Sequence, residues 1–255
     1  MLRNALTAIR SLLFTIPVII IVTIAMGLTA IVGSLAAGGG APPAASKRGA
    51  PTNFQFHCAR LWARMILAAS FVRVTANGLD KIDPSKTYVF CCNHASYMDP
   101  PVIMGCLRNR ARFLAKKSLF AIPVFGWALR RAGHLPIERE HPRSAAQSLA
   151  GASEVVRGGD SVIIFPEGGR SFDGKLQPFL SGAFRLAIDV QAPIVPVAIA
   201  GTHNVLTPGS INIRGGSVQL FIGEPIPIVG MTLKDRDALA KTVRQKIEVM
   251  LSENA

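Results

Sequence analysis

The stretch Tyr88-Val89-Phe90-Cys91-Cys92-Asn93-His94-Ala95-Ser96-Tyr97-Met98-Asp99-Pro100 decides the fold class. Its first five residues are apolar and rich in β-forming side chains, so they read as a buried strand. Asn93-His94 breaks that run. Asp99 then reads as the N-cap of a helix over Pro100–Leu107, with Pro100 in its first turn. Working outward, the same alternation recurs. Val72–Ala76, Arg112–Ala115, His134–Ile137, Ser161–Phe165, Ile194–Ile199 and Val218–Ile222 are strand-like, while Pro123–Ala132, Arg143–Arg157, Gly182–Val190 and Thr232–Leu251 are helical. Strands alternating with helices indicate an α/β domain whose sheet is covered on its faces. Sites in such folds lie beyond the carboxyl ends of strands, which is where His94 falls.

Composition narrows the partners. The 255 residues carry 28 Lys+Arg against 15 Asp+Glu, a net charge of +13, yet 49% are hydrophobic. That apolar content excludes general disorder. The charge calls for an anion: nucleic acid, anionic lipid or a phosphorylated substrate. Nucleic acid is disfavoured, because aromatics make up only 7% and no RNP-like block or zinc pattern occurs. Cys58, Cys91, Cys92 and Cys106 show no Cys-x-x-Cys spacing, so buried reduced thiols are expected, with no metal site.

The apolar excess concentrates at the N-terminus. Residues 11–46 hold no charged side chain, and Leu12–Val32 is a 21-residue apolar stretch. At ~1.5 Å per residue it matches a hydrocarbon core of about 30 Å. It is longer than a signal-peptide core, so residues 1–37 read as a retained membrane segment. The other segments are 38–53, a Gly/Pro/Ala-rich linker; 54–72, an amphipathic helix; and 73–255, the α/β domain. Arg60 and Arg64 share one face of the 54–72 helix, which suits the membrane interface, while a core-packing helix remains the alternative. Arg3 and Arg10 precede the apolar stretch; Lys47, Arg48, Arg60, Arg64 and Arg73 follow it. That asymmetry favours the α/β domain on the cytoplasmic face of a cell (inner or plasma) membrane.

Four blocks carry chemistry. In Asn93–Asp99, a turn that returns the Asp99 carboxylate to one imidazole nitrogen would fix the His94 tautomer. His94 would then accept a proton from an alcohol. In Phe165-Pro166-Glu167-Gly168-Gly169-Arg170-Ser171, two glycines let backbone N–H groups approach an anion, and Arg170 offers a planar fork for phosphate. It lacks the Gly-Lys-Ser/Thr ending of a Walker loop. In Gly133–Arg139, Arg139 is a second cation, and Lys116 and Lys117 emerge similarly from the preceding strand. In Ile194-Val195-Pro196-Val197-Ala198-Ile199, Pro196 fits a sheet edge or a bend.

Together, and in this order, NHASYMD (93–99), GHLPIER (133–139), FPEGGRS (165–171) and IVPVAI (194–199) resemble the glycerolipid acyltransferase family. The likeness is greatest to the 1-acyl-sn-glycerol-3-phosphate acyltransferases. It covers about Val72 to Ile222 and includes AKKSLFAIPVFGW (115–127). The resemblance implies an α/β fold with a mixed sheet flanked by helices, of the glycerol-3-phosphate acyltransferase type, and an N-terminal hydrophobic membrane-anchoring helical region. It implies transfer of an acyl group from acyl-CoA or acyl carrier protein to the sn-2 hydroxyl of lysophosphatidic acid, forming phosphatidic acid. His94 and Asp99 would be catalytic. Arg170, Arg139, Lys116 and Lys117 would bind phosphate. Asn93, Glu167, Gly168, Gly169 and Ser171 would organise the acceptor or the loop, and Pro196 and Val197 would border the donor or acyl channel. The implied partners are membrane lipids and the two substrates, with no metal, no nucleic acid and no cofactor beyond the acyl donor. Two departures bear on the acceptor: Gly169 stands where family members often have Thr, and Leu180-Ser181 precede Gly182 where Lys is common. Another lysolipid, such as a lyso-ornithine lipid, is the alternative acceptor. A non-catalytic lipid-binding protein is the alternative of another class.

Overall fold

The computed structural model describes residues 2–36, 53–138 and 142–253. The chain opens with α1 (Leu2–Arg10), which runs through one π-helical turn (Ser11–Thr15) into α2 (Ile16–Ala36), and continues with α3 (Asn53–Ala69). There follow β1 (Val72–Asn77), β2 (Val89–Cys92), α4 (Asp99–Cys106), β3 (Ala111–Lys116), α5 (Phe125–Arg131), β4 (Leu135–Ile137), α6 (Pro142–Arg157) and β5 (Ser161–Ile164). The chain then forms α7 (Gly182–Val190), β6 (Ile194–Ala200), the short α8 (Thr202–Val205), β7 (Gly216–Ile222) and α9 (Arg236–Ser252). The expected strands and helices of the α/β part are all present, with bounds shifted by a few residues.

The sheet order is β1-β7-β6-β2-β5-β3-β4. β4, β3, β5, β2 and β6 run parallel; β7 is antiparallel to β6, and β1 follows β7. The sheet is therefore mixed. Side chains alternate between its faces, as strand geometry requires. Phe90, Cys92, Phe113, Ile163 and Val197 meet Ile66 and Leu67 of α3 and Val102 and Ile103 of α4 on one face. Val89, Cys91, Val162, Ile164 and Ala198 meet Val156 of α6, Phe184 of α7 and Val243 and Ile247 of α9 on the other. Burial on both faces explains why these strands read as unbroken apolar runs.

Two expectations are corrected. Asp99 is not an N-cap: Met98 holds that position without a side-chain bond, and Asp99 is the first helical residue. Pro196 is neither at a sheet edge nor at a bend, because β6 lies between β2 and β7. It is tolerated there because the ladder to β7 starts only at Val197, and Gly223 N–H reaches the Pro196 carbonyl at 2.9 Å just beyond it. Arg60 and Arg64 of α3 bond to the end of α4. Arg64 donates to the Gly105 carbonyl at 3.1 Å, and Arg60 to Leu107 at 3.0 Å and Arg108 at 3.2 Å. They satisfy carbonyls at the negative end of α4, where cations are favoured.

The N-terminal helix is apolar over Ala5–Ala30, which by length and composition is enough to cross a membrane. One side of α2 packs on α3 and α5. Trp62 of α3 donates to the Thr23 hydroxyl at 3.0 Å, and Arg10 donates to the Ile213 carbonyl at 2.6 Å. Leu13, Phe14, Ile20, Ile21, Ile24 and Leu28 are exposed on the other side. α3 shares both characters: Ala63, Ile66 and Leu67 are buried, while Phe54, Leu61 and Met65 are exposed. Lys47 and Arg48, and the 38–53 linker apart from Asn53, lie outside the described residues.

Candidate active site

From β2 the chain reaches β3 on one side; from β5 it crosses to β6 on the other. The carboxyl ends of the neighbouring strands β2 and β5 therefore bound a crevice at a topological switch, the usual place for a site in such a sheet. The loop after β2 carries His94, and the loop after β5 carries Phe165 to Ser171.

His94 Nδ1 lies 2.7 Å from Asp99 Oδ2. The same oxygen accepts the backbone N–H groups of Ala95 at 2.7 Å and Ser96 at 2.8 Å. Asp99 is fully buried. A buried carboxylate costs several kcal/mol, roughly, unless such donors meet it. As a carboxylate, Asp99 is an acceptor only, which places the shared proton on Nδ1. The lone pair is then on Nε2, which has no partner among the described residues. Below the imidazole lies the Phe165 ring, stacked at 4.0 Å between centroids with 19° between planes. The ring of His94 is thus fixed in plane and in tautomer.

Backbone contacts lock the two loops together. Glu167 Oε1 accepts the His94 N–H at 2.5 Å, and Oε2 accepts the Gln177 N–H at 2.8 Å. Ser171 N–H donates back to the His94 carbonyl at 2.8 Å, while its hydroxyl donates to Asp173 at 2.8 Å. Burial raises the Glu167 carboxyl to about 7, with nearby Asp99 adding to the rise; the N–H donors of Gln177 and His94, and Arg244, oppose it. Asn93 works on the other side of β2. Its amide accepts from Ile199 N–H at 2.7 Å and donates to the Ile199 carbonyl at 3.0 Å, extending the β2–β6 pairing where the backbone turns away.

The remaining residues sort by position. Gly168 has φ +77° and donates to the Phe165 carbonyl at 3.1 Å, so its N–H is engaged in the turn. Gly169 is exposed, and a Cβ there would meet nothing within 4 Å. Arg170 stacks on the Tyr97 ring, with its guanidinium carbon 3.5 Å from the centroid. Lys116 is exposed at the end of β3; Lys117 follows and pairs with Glu138 at 2.8 Å. These cations flank the crevice at the ends of β3 and β4, and Arg139 lies outside the described residues. Pro196 and Val197 are buried in β6, in register with Cys91 and Cys92 of β2, beneath the loops. Cys91 and Cys92 are fully buried and desolvation raises both thiols, Cys91 to about 12, so neither is a thiolate nucleophile. Sequence reading missed three contributors. Phe165 and Tyr97 stand in the quoted blocks with no role assigned to either, and Gln177 carried no signal at all.

Residues 73–200, half of the chain, match the Acyltransferase family profile. The chain belongs to that family. Its acyltransferase region is 37% identical over 175 residues to the 1-acyl-sn-glycerol-3-phosphate acyltransferase BAT2, chloroplastic, of Brassica napus, covering 68% of this chain and 50% of that one. It is 31% identical over 183 residues to the human 1-acyl-sn-glycerol-3-phosphate acyltransferase alpha, covering 71% of this chain and 65% of the human one. The chain spans about half the length of the Brassica relative. The acyltransferase fold itself matches the crystal structure of the 1-acyl-sn-glycerophosphate acyltransferase PlsC from Thermotoga maritima, with a TM-score of 0.77 and 24% identity over 99% of this chain and 96% of that one.

Proposed function

We propose that this chain transfers a fatty acyl group from acyl-CoA or acyl carrier protein to the sn-2 hydroxyl of 1-acyl-sn-glycerol 3-phosphate, forming phosphatidic acid at a membrane. The observation that carries the reading is the 2.7 Å contact between His94 and the buried Asp99, in a chain of the Acyltransferase family. His94 Nε2 takes the proton of the acceptor hydroxyl as its oxygen attacks the thioester carbonyl. The tetrahedral intermediate collapses, the carbon–sulfur bond breaks, and the imidazolium returns the proton to the leaving thiolate. Asp99 holds the Nδ1 proton throughout and stabilises the imidazolium. No acyl-enzyme, metal or cofactor enters the scheme.

Arg170 takes the acceptor phosphate, with Arg139, Lys116 and Lys117 as supporting cations. Glu167, Gly168, Ser171 and Asn93 organise the loops that present His94, and Pro196 and Val197 form part of the floor beneath the donor. The exposed apolar side of α1 and α2 meets lipid, with the α/β domain on the cytoplasmic face of the inner or plasma membrane.

A lysolipid with a larger head group is the second reading. The open space at Gly169, next to Arg170, favours it. A panel of lyso-acceptors offered to the purified protein in liposomes, with one acyl-CoA, separates the two. Turnover highest with lysophosphatidic acid supports the first reading. Higher turnover with a lyso-ornithine or large-headed lysophospholipid overturns it in favour of the second.

A further inference from the structure

Tyr97 lies between His94 and Asp99 in the sequence. Its ring is 57% exposed, unusual for an aromatic side chain in a loop whose neighbours Ala95, Ser96 and Met98 are buried. That exposed ring carries the Arg170 guanidinium, 3.5 Å from its centroid. Arg170 Nη1 is enclosed and has no hydrogen-bond partner among the described residues, although Arg170 as a residue is half-buried. An enclosed guanidinium nitrogen without an acceptor is costly unless a ligand supplies one. A ring against one face of the guanidinium leaves the N–H donors, which lie in the guanidinium plane, available to an acceptor.

Three further hydrogen bonds hold the two loops of this stack, one of them to His94. Ser171, next to Arg170, donates its backbone N–H to the His94 carbonyl at 2.8 Å. Ser96, next to Tyr97, donates its hydroxyl to the Leu206 carbonyl at 2.7 Å and accepts the Met98 N–H at 3.2 Å, which anchors the loop beneath the ring. The plane that aims Arg170 is therefore built from the same loop that presents the base.

We propose that Tyr97 is a positioning residue for anion recognition: its ring face sets the plane of the Arg170 guanidinium so that the free Nη edge meets the acceptor's phosphate monoester. The inference rests on the reading that Arg170 binds that phosphate. It adds a specificity role for a residue of the first block. The ring face is what matters, and the phenol hydroxyl is dispensable. Tyr97→Phe keeps the stack, whereas Tyr97→Leu keeps bulk and loses the π face.

The test is steady-state kinetics of the full-length protein in liposomes with lysophosphatidic acid and acyl-CoA. Inorganic phosphate and glycerol 3-phosphate serve as competitors against the acceptor. Tyr97→Leu and Tyr97→Ala raise the acceptor KM and the inhibition constants of both competitors roughly three- to thirtyfold, leaving kcat and donor KM within about twofold. Tyr97→Phe stays near the parent. Tyr97→Leu behaving as Tyr97→Phe, or a fall in kcat at unchanged acceptor KM, overturns the proposal. Arg170→Ala measured alongside keeps the two readings apart: an unchanged acceptor KM there overturns the phosphate role of Arg170 itself. A raised KM in Arg170→Ala with no change in any Tyr97 variant overturns only the role of Tyr97.

Discussion

The crevice between β2 and β5 and the rim at the ends of β3 and β4 carry the same kinds of residue in different states of order. In the crevice, His94 receives or gives three short polar contacts through ring, N–H and carbonyl, and its ring is stacked on Phe165. Asp99 and Ser171 are buried there. At the rim, Lys116 is exposed and the Lys117 side chain is 65% exposed, with one ion pair to Glu138 between them. Such a surface pair contributes about 0–1 kcal/mol and is screened by salt. The difference separates two tasks. Chemistry needs atoms held within a fraction of an ångström, so it sits where backbone groups hold the side chains. Collecting an anion needs only charge nearby, which is the role proposed for the exposed lysines.

The largest test of this division is Asp99→Asn. The amide still fills the space and its oxygen can still accept from His94, Ala95 and Ser96, but it is neutral, so the imidazolium formed in the proposed reaction loses its counter-charge. Acyl-transfer kcat falls roughly 10²- to 10⁴-fold with KM values little changed. A loss below about tenfold breaks the claim that the crevice is pre-organised through this carboxylate.

Glu167→Gln comes next. Both carboxylate oxygens accept backbone N–H groups, and an amide serves only one of them. We expect kcat to fall about tenfold and folding stability to drop by roughly 1–3 kcal/mol at pH 5. The pH dependence has a definite sign. The Glu167 carboxyl titrates near its ordinary 4.5 when unfolded and at about 7 when folded. Between those values the folded state binds more protons, so this group's contribution to stability is complete below 4.5 and is lost as pH rises through 7. Of the charged groups that face it, Asp99 adds to the rise and Arg244 opposes it. The melting-temperature gap between parent and Glu167→Gln therefore narrows from pH 5 to pH 8. A gap that widens contradicts the raised carboxyl.

The smallest effects belong to the rim. Lys116→Ala and Lys117→Ala change the acceptor KM by less than about threefold each, and the change shrinks in 0.5 M salt. A salt-insensitive tenfold rise would place a lysine in the crevice's class and erase the distinction between the two regions.

The sequence exposed what is local and hid what depends on strand order. Tyr88–Cys92 and Ser161–Phe165 were legible as strands because burial on both faces leaves apolar runs. The return of Asp99 to His94 was legible as a spacing, although the same residue also suggested an N-cap. That β5 lies directly beside β2 is not written in either segment, so the Phe165 stack on His94 and the bonds of Glu167 to His94 were not foreseeable. Arg60 and Arg64 carried the opposite lesson. Their neighbours are apolar and the segment follows a membrane-length stretch, so interface contact was a natural reading. They bond the carbonyls that end α4, some forty residues away, and that contact exists only once α3 and α4 pack. Pro196 read as an edge residue because the strand's partners, and the break between them, were invisible.

The most direct test is phosphatidic acid formation by His94→Ala beside the parent, in liposomes containing lysophosphatidic acid and acyl-CoA, with thermal melting recorded for both. In the proposed reaction His94 accepts the acceptor's proton, and the melting curves show whether the alanine variant folds. The account predicts product from the parent, a loss of at least about 10³-fold in the variant, and melting temperatures within a few degrees of each other. Comparable turnover in a folded His94→Ala protein would contradict it.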